Sequence, residues 1–171
     1  MAYPSRALAE NSSSKWFPYQ KGGAYRRWFG NRDFVVNWEH AGSEIISSGR
    51  AYPRSKEHYF KEALTYTATS SSYFGIRYTE PGFIFDAKGS FCIPVNEDIH
   101  VLLGFLSSRV AVAFLDALNP TVEFQAGDLA RLPFASDDSL DRDSLKLLVS
   151  EMISIARADW DNFETSWDFR D

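Results

Sequence analysis

The sequence predicts an α+β fold: a curved, mostly antiparallel sheet flanked by helices, with a long amphipathic helix at its C-terminal end. Three observations lead there. Of the 171 residues 16% are aromatic, and in the first half these lie in short β-branched and aromatic runs separated by Gly, Pro and Ser turn chemistry. Beyond Val95 the apolar residues recur at helical spacing instead. From Ser139 an amphipathic pattern runs on far longer than a strand does. With 44% hydrophobic residues, a chain of this length can bury a real core.

Residues 1–14 read as a loose leader, with Pro4, the run Asn11-Ser12-Ser13-Ser14, and a helical turn at Ala7–Glu10. KWFPY, DFVVNWE, ALTYTAT, YFGIRYT and GFIFDA are the expected strands, separated by KGG, SSS, EPG and KGS. A short helix is expected at Ser43–Ser48 and an exposed basic loop at Arg50–Lys56, where Pro53 breaks the pattern. Asn96 suits an N-cap, with Glu97 and Asp98 in the first turn of a helix over 97–106. Ser107-Ser108 recaps the chain for a second helix over 108–118, which Asn119-Pro120 ends. TVEFQAGDLARLPF continues as an extended segment, one helical turn at Asp128–Leu132 and a Pro133 stop. The last helix, at about 140–163, is expected to gather Leu140, Leu147, Leu148, Met152, Ile155 and Ala156 on its apolar side. That side needs a partner: the domain itself, another copy, or further chain. The organisation expected is a leader at 1–14, one α+β domain at 15–135 and the C-terminal helix and tail at 136–171.

The formal net charge of -5 conceals an asymmetry. Residues 1–77 hold 11 Lys and Arg against 6 Asp and Glu, whereas residues 78–171 hold 7 against 17. Because screening confines each charge to about 8–10 Å at physiological salt, a local basic face can bind a polyanion on an acidic protein. Cys92 is the only cysteine, so no internal disulfide and no metal-thiolate site forms. No signal-like segment and no run of about 18 apolar residues is present. The expectation is a soluble, cytoplasmic protein with no membrane partner.

Catalytic signatures are absent: there is no GxSxG, P-loop, HExxH or GxGxxG. His40 and Glu44 lack a third metal ligand and read as a solvated helix face, and Cys92 reads as a small buried hydrophobe. Asp86-Ala87-Lys88, with Glu80 or Glu62 upstream, imitates the acid and D-x-K set with which nucleases hold Mg²⁺, although the spacing is commonplace. Asn119-Pro120-Thr121-Val122 lacks the second Pro and the aromatic of a base-gripping tetrad. The stretch from Tyr19 to Glu39 carries a stronger signal. Lys21, Arg26, Arg27 and Arg32 surround Gly22, Gly23 and Gly30, with Tyr25, Trp28 and Phe29 among them. Cations neutralise phosphates, glycines let the backbone come close, and rings stack on bases. Arg50, Arg54 and Lys56 would extend the same face. The same composition equally suits a hairpin with solvated charges and core aromatics, or a protein-docking surface.

KWFPYQKGGAYRRWFGNRDFVVNWE, RSKEHYF, GFIFDAKGS, LLGFLSSRVAVAFLDALNPTVEFQAGDLARLPF and DWDNFETSWDF together resemble the section that follows the catalytic domain in the PglX family, the adenine-specific DNA methyltransferases of bacteriophage-exclusion (BREX) systems. The resemblance runs from about Lys15 to Phe169 and implies a target recognition domain, in which a twisted sheet and a few helices read double-stranded DNA beside the methylation site. Lys21, Gly22, Gly23, Arg27, Trp28, Gly30 and Asn31 fall on the family's KGG...W.GN pattern. The family's methyl-donor site and its Asn-Pro-Pro-Tyr tetrad have no counterpart in this chain. The resemblance therefore implies a non-catalytic piece of a restriction-modification or phage-defence enzyme, without cofactor of its own, whose S-adenosylmethionine sits elsewhere in the full-length protein. Its expected partners are the duplex, the rest of the methyltransferase chain and other phage-defence proteins. Lys21, Arg26, Arg27 and Arg32 are expected at phosphates, and Asn31, Arg50, Arg54 and Lys56 among the base-reading groups. The alternative is a module that docks defence proteins or a phage-encoded DNA mimic.

Overall fold

The computed structural model describes residues 8–9, 12–86, 90–134 and 140–163. The chain is α+β, as the sequence predicts, but its strands form two small sheets instead of one curved sheet. In the first, β1 (Trp16–Gln20) lies between β2 (Phe34–Asn37) and β5 (Ile84–Phe85). It pairs antiparallel with β2, where Phe17 faces Val36, and parallel with β5, where Gln20 faces Phe85. In the second, β3 (Ala63–Tyr66) lies between β4 (Ile76–Thr79) and β6 (Phe91–Cys92), antiparallel to both. β6 was not among the expected strands, because a two-residue strand carries no periodicity.

The helices are α1 (Ser43–Ser47), α2 (Ile99–Leu106), α3 (Arg109–Leu118), α4 (Ala126–Ala130) and α5 (Arg142–Asp161). Asp98, not Asn96, caps α2: its carboxylate accepts from the backbone N–H groups of His100 and Val101 at 2.8 and 3.4 Å. The other carboxylate oxygen receives Lys146 of α5 at 3.3 Å, and the neighbouring Glu97 receives Arg142. The start of α2 is thus tied to the start of α5. Ser108 caps α3 and Asn119 ends it, as expected. Replacing Asp98 with Ala should cost about 1 kcal/mol, with Asn retaining most of the cap, checked by urea unfolding.

Two clusters make the core. One lies where Leu64, Tyr66 and Ile76 meet Leu103, Leu106, Leu115, Val149, Ile153 and Trp160. The other packs Phe17, Trp38, Tyr59, Phe60, Phe83 and Ile84 behind the first sheet. Gly104 allows α2 and α5 to touch, since a Cβ there would sit 3.0 Å from both Leu145 and Val149. This contact corrects the expected face of α5. The side turned to α2 is Leu145, Val149, Ile153, Ala156 and Trp160, spaced by three and four residues. Leu147, Leu148 and Ile155 are exposed. Long apolar side chains on both sides made the two faces indistinguishable in sequence, and the tryptophan five residues beyond Ile155 decided between them. The proposed boundary at 135–136 lies outside the described residues, as do the family motif beyond Phe163 and most of the leader; Leu8 and Ala9 are helical.

A polar layer separates the sheets. Thr65, Arg77 and Thr79 share one face of the second sheet, because Thr65 and Arg77 are cross-strand partners and Thr79 lies two residues on. Gln20 Nε2 donates to Thr79 Oγ1 at 3.2 Å, and the Thr65 and Thr79 hydroxyls are 3.0 Å apart. Arg77 is 1% exposed, and none of its guanidinium nitrogens finds a hydrogen-bond partner among the described residues.

Candidate nucleic-acid interface

The basic and aromatic loop from Lys21 to Asp33 leaves β1 and crosses the second sheet. Gly23 is clasped there by Thr67: its N–H donates to Thr67 Oγ1 at 3.1 Å, and that hydroxyl donates back to Gly23 O at 3.1 Å. Gly22 has no room to spare, since a Cβ would lie 3.3 Å from the Thr67 methyl. Trp28 then bonds along β4, donating to Ile76 O and accepting from Tyr78 N, each at 2.9 Å. Trp28 and Asn31 hold left-handed backbone, with φ of 71° and 56°, which bends the loop back on itself. The Asn31 amide donates to Ala24 O at 2.9 Å and closes it.

This path separates the residues that the sequence had grouped. Arg26 pairs with Asp159 at 3.2 Å and lies over the Trp160 and Phe163 rings of the α5 end. Arg27 donates to the Ser107 carbonyl and covers the Trp28 ring. Arg32 reaches Glu80 at 2.8 Å from between Phe29 and Phe83. Asn31 is buried, and Trp28 packs against the main core. Arg26 and Arg27 join the loop to the helices, Trp28 and Arg32 join it to β4 and its end, and Asn31 closes it on itself. Arg157 completes the junction by reaching the other oxygen of Glu80 at 2.5 Å. Sequence reasoning missed Glu80 and Arg157 as a unit because 77 residues separate them.

Lys21, Gly22 and Gly23 do something else. With Phe34, Thr67 and Thr69 they line a cleft of about 440 Å³ that ends at Asp86. A second cleft beside it, also bordered by Asp86, is lined by Tyr19, Tyr52, Pro53, Arg54 and Tyr59. A third continues past Arg54, Ser55 and Asp86 to Ser90, Phe91 and Ala126. The loop after β1 and the loop before β3 therefore flank one shared carboxylate. Asp86 is fixed through its backbone: its N–H donates to Gln20 O at 2.9 Å, prolonging the β1–β5 pairing, and its side chain shares a cleft with Tyr19. Burial, and after it the neighbouring Asp86 carboxylate, raises the Tyr19 pKa well above the ordinary phenol value. Arg50 is exposed and Lys56 half-buried, and neither lines these clefts.

The nuclease reading finds no geometry. Glu80 is held by two arginines, Glu62 accepts the Tyr78 hydroxyl, and Ala87 and Lys88 lie outside the described residues. Among the described residues no three His, Cys, Asp or Glu side chains gather as metal ligands. Cys92 is largely enclosed, and burial pushes its thiol up to about 12, as befits a packing residue. No single described helix is long and apolar enough to cross a membrane.

No family model matches the chain. Two curated relatives do. The adenine-specific methyltransferase PglX of Lacticaseibacillus casei (strain Zhang) is 40% identical over 180 residues, covering 99% of this chain and 14% of the relative. The adenine-specific methyltransferase BrxX of Escherichia coli O9:H4 (strain HS) is 37% identical over 160 residues, covering 92% of this chain and 13% of the relative. The chain thus spans about one seventh of their length or slightly less, and at that identity over nearly all of its residues it belongs to the PglX family.

Proposed function

We propose that the chain recognises a sequence in double-stranded DNA on behalf of an adenine-specific methyltransferase in phage defence, and that it transfers no methyl group by itself. The observation that supports this is the convergence of two loops on one set of adjoining clefts, with Lys21 and two glycines on one wall and Arg54 on the other. Lys21 and Arg54 supply the phosphate contacts, and Gly22 and Gly23 allow the backbone to approach. Arg50 and Lys56, carried by the same loop as Arg54, add charge at its margin. Arg26, Arg27, Trp28, Asn31 and Arg32 contribute indirectly, by holding the loop on the sheet. S-adenosylmethionine belongs to another part of the longer chain.

The test is duplex binding at two salt concentrations. Neutralising two phosphates predicts that a fourfold rise in salt weakens binding about tenfold. The Lys21→Glu, Arg54→Glu double variant should lose that salt dependence and most of the affinity. Binding absent at low salt, or indifferent to salt, removes the proposal.

The exposed Leu147, Leu148 and Ile155 on the outer side of α5 favour a second contact, with the rest of the methyltransferase chain. A module that only docked defence proteins or a DNA mimic would show no preference among duplex sequences. That preference separates the two readings.

A further inference from the structure

Among the described residues, Asp86 is the only acidic side chain that lines the three adjoining clefts. Such a group is out of place on a surface built only to hold phosphates, since a carboxylate repels them. It forms no ion pair among the described residues, although Lys21 and Arg54 stand on either side. Its position is nevertheless specified: the backbone is pinned to Gln20, and the side chain stands with Tyr19 in one cleft. A carboxylate placed in this way, without an ion pair among the described residues, has accepting capacity to offer a ligand.

We infer that Asp86 is a base-reading residue that selects cytosine at one position of the target duplex; the inference rests on the DNA-recognition reading above. The chemistry excludes the other bases in turn. In the major groove guanine presents two acceptors and thymine one, all repelled by a carboxylate. Adenine offers an amine, but beside an acceptor nitrogen that suits an amide better than an acid. Cytosine alone presents its N4 amine without an adjoining acceptor of its own. Lys21 and Arg54 would track the backbone while Asp86, between them, meets the base edge. Tyr19, which lines the same cleft, limits the space in which the carboxylate can turn.

The experiment is selection from a randomised duplex pool by the 171-residue chain, wild type beside Asp86→Asn and Asp86→Ala, with melting temperatures recorded for each. Wild type should enrich cytosine at one position by about tenfold, the discrimination expected of one good base contact. Asp86→Ala should lose the preference there and keep it at every other position, with equal or tighter binding to an unselected duplex. The nearly isosteric Asp86→Asn should turn the preference toward adenine, which also answers the case in which the alanine variant does not fold. A wild-type motif that both variants reproduce overturns the assignment while leaving DNA recognition standing. A wild type that enriches no sequence overturns the recognition reading, and this assignment with it.

Discussion

Replacing Glu80 with Ala should lower the unfolding free energy by about 1–3 kcal/mol, the consequence of removing the shared acceptor from a partly buried charge cluster. Its carboxylate accepts from Arg32 at 2.8 Å and Arg157 at 2.5 Å. The Arg32 side chain is 12% exposed, so the variant takes the Glu80 acceptor away from a guanidinium held between two phenyl rings. Three parts of the fold separate together: the basic loop, the end of β4 and the last turns of α5. Burial pushes the Glu80 pKa up, but Arg32 and Arg157 outweigh it and hold the carboxyl below its ordinary value. A depressed carboxylate contributes stability that is complete above the ordinary carboxylate pKa and is lost as pH falls through the lower, folded value. Urea unfolding at neutral pH and in acid checks both points. Wild type should lose the Glu80 contribution in acid, and Glu80→Gln, already lacking the charge, should show a flatter acid limb. Equal denaturation midpoints for wild type and Glu80→Ala would show that the junction carries no stability.

The elements of the fold were legible where they were long. β2, β3, β4 and β5 fall within the predicted runs, β1 extends one residue past its run to Gln20, and Ser108 and Asn119 bound α3 where cap chemistry places them. The division into two sheets was not legible, because it depends on β1 pairing parallel with a two-residue β5 more than sixty positions away. Composition marked the candidate site, but not the direction in which its side chains turn. Gly22, Gly23 and Lys21 line a cleft, but Arg26, Arg27 and Arg32 turn away toward α5, the end of α2 and Glu80. Nothing in RRWFGNR distinguishes an arginine that meets solvent from one that stacks on its own protein's rings, since both need the same neighbours. Asp86 was visible only as half of a weak nuclease pattern. Its place between two basic loops emerges from strand pairing, and strand pairing is what a single sequence conceals most thoroughly.

Arg77 permits the converse of the Glu80 result, a substitution that stabilises. The guanidinium lies in the polar layer between the sheets, 1% exposed and without a hydrogen-bond partner among the described residues. Burial, and after it the like charge of Arg26, lowers its pKa to about 10. An ion taken out of water without a counter-ion costs more than an apolar chain of similar length in the same place. Arg77→Met should therefore raise the unfolding free energy by about 1–3 kcal/mol at neutral pH. For a base whose folded pKa is depressed, the unfolded chain binds more protons between the two values, so wild-type stability rises with pH across that interval. The methionine variant has no such group. Its advantage should therefore be full at pH 7 and shrink as the solution is raised through about pH 10 and beyond, which parallel chemical unfolding of the two proteins measures directly. If Arg77→Met proves less stable at neutral pH, the guanidinium has an acceptor in solution, and the layer between the sheets holds an internal water or anion that pays for the buried charge.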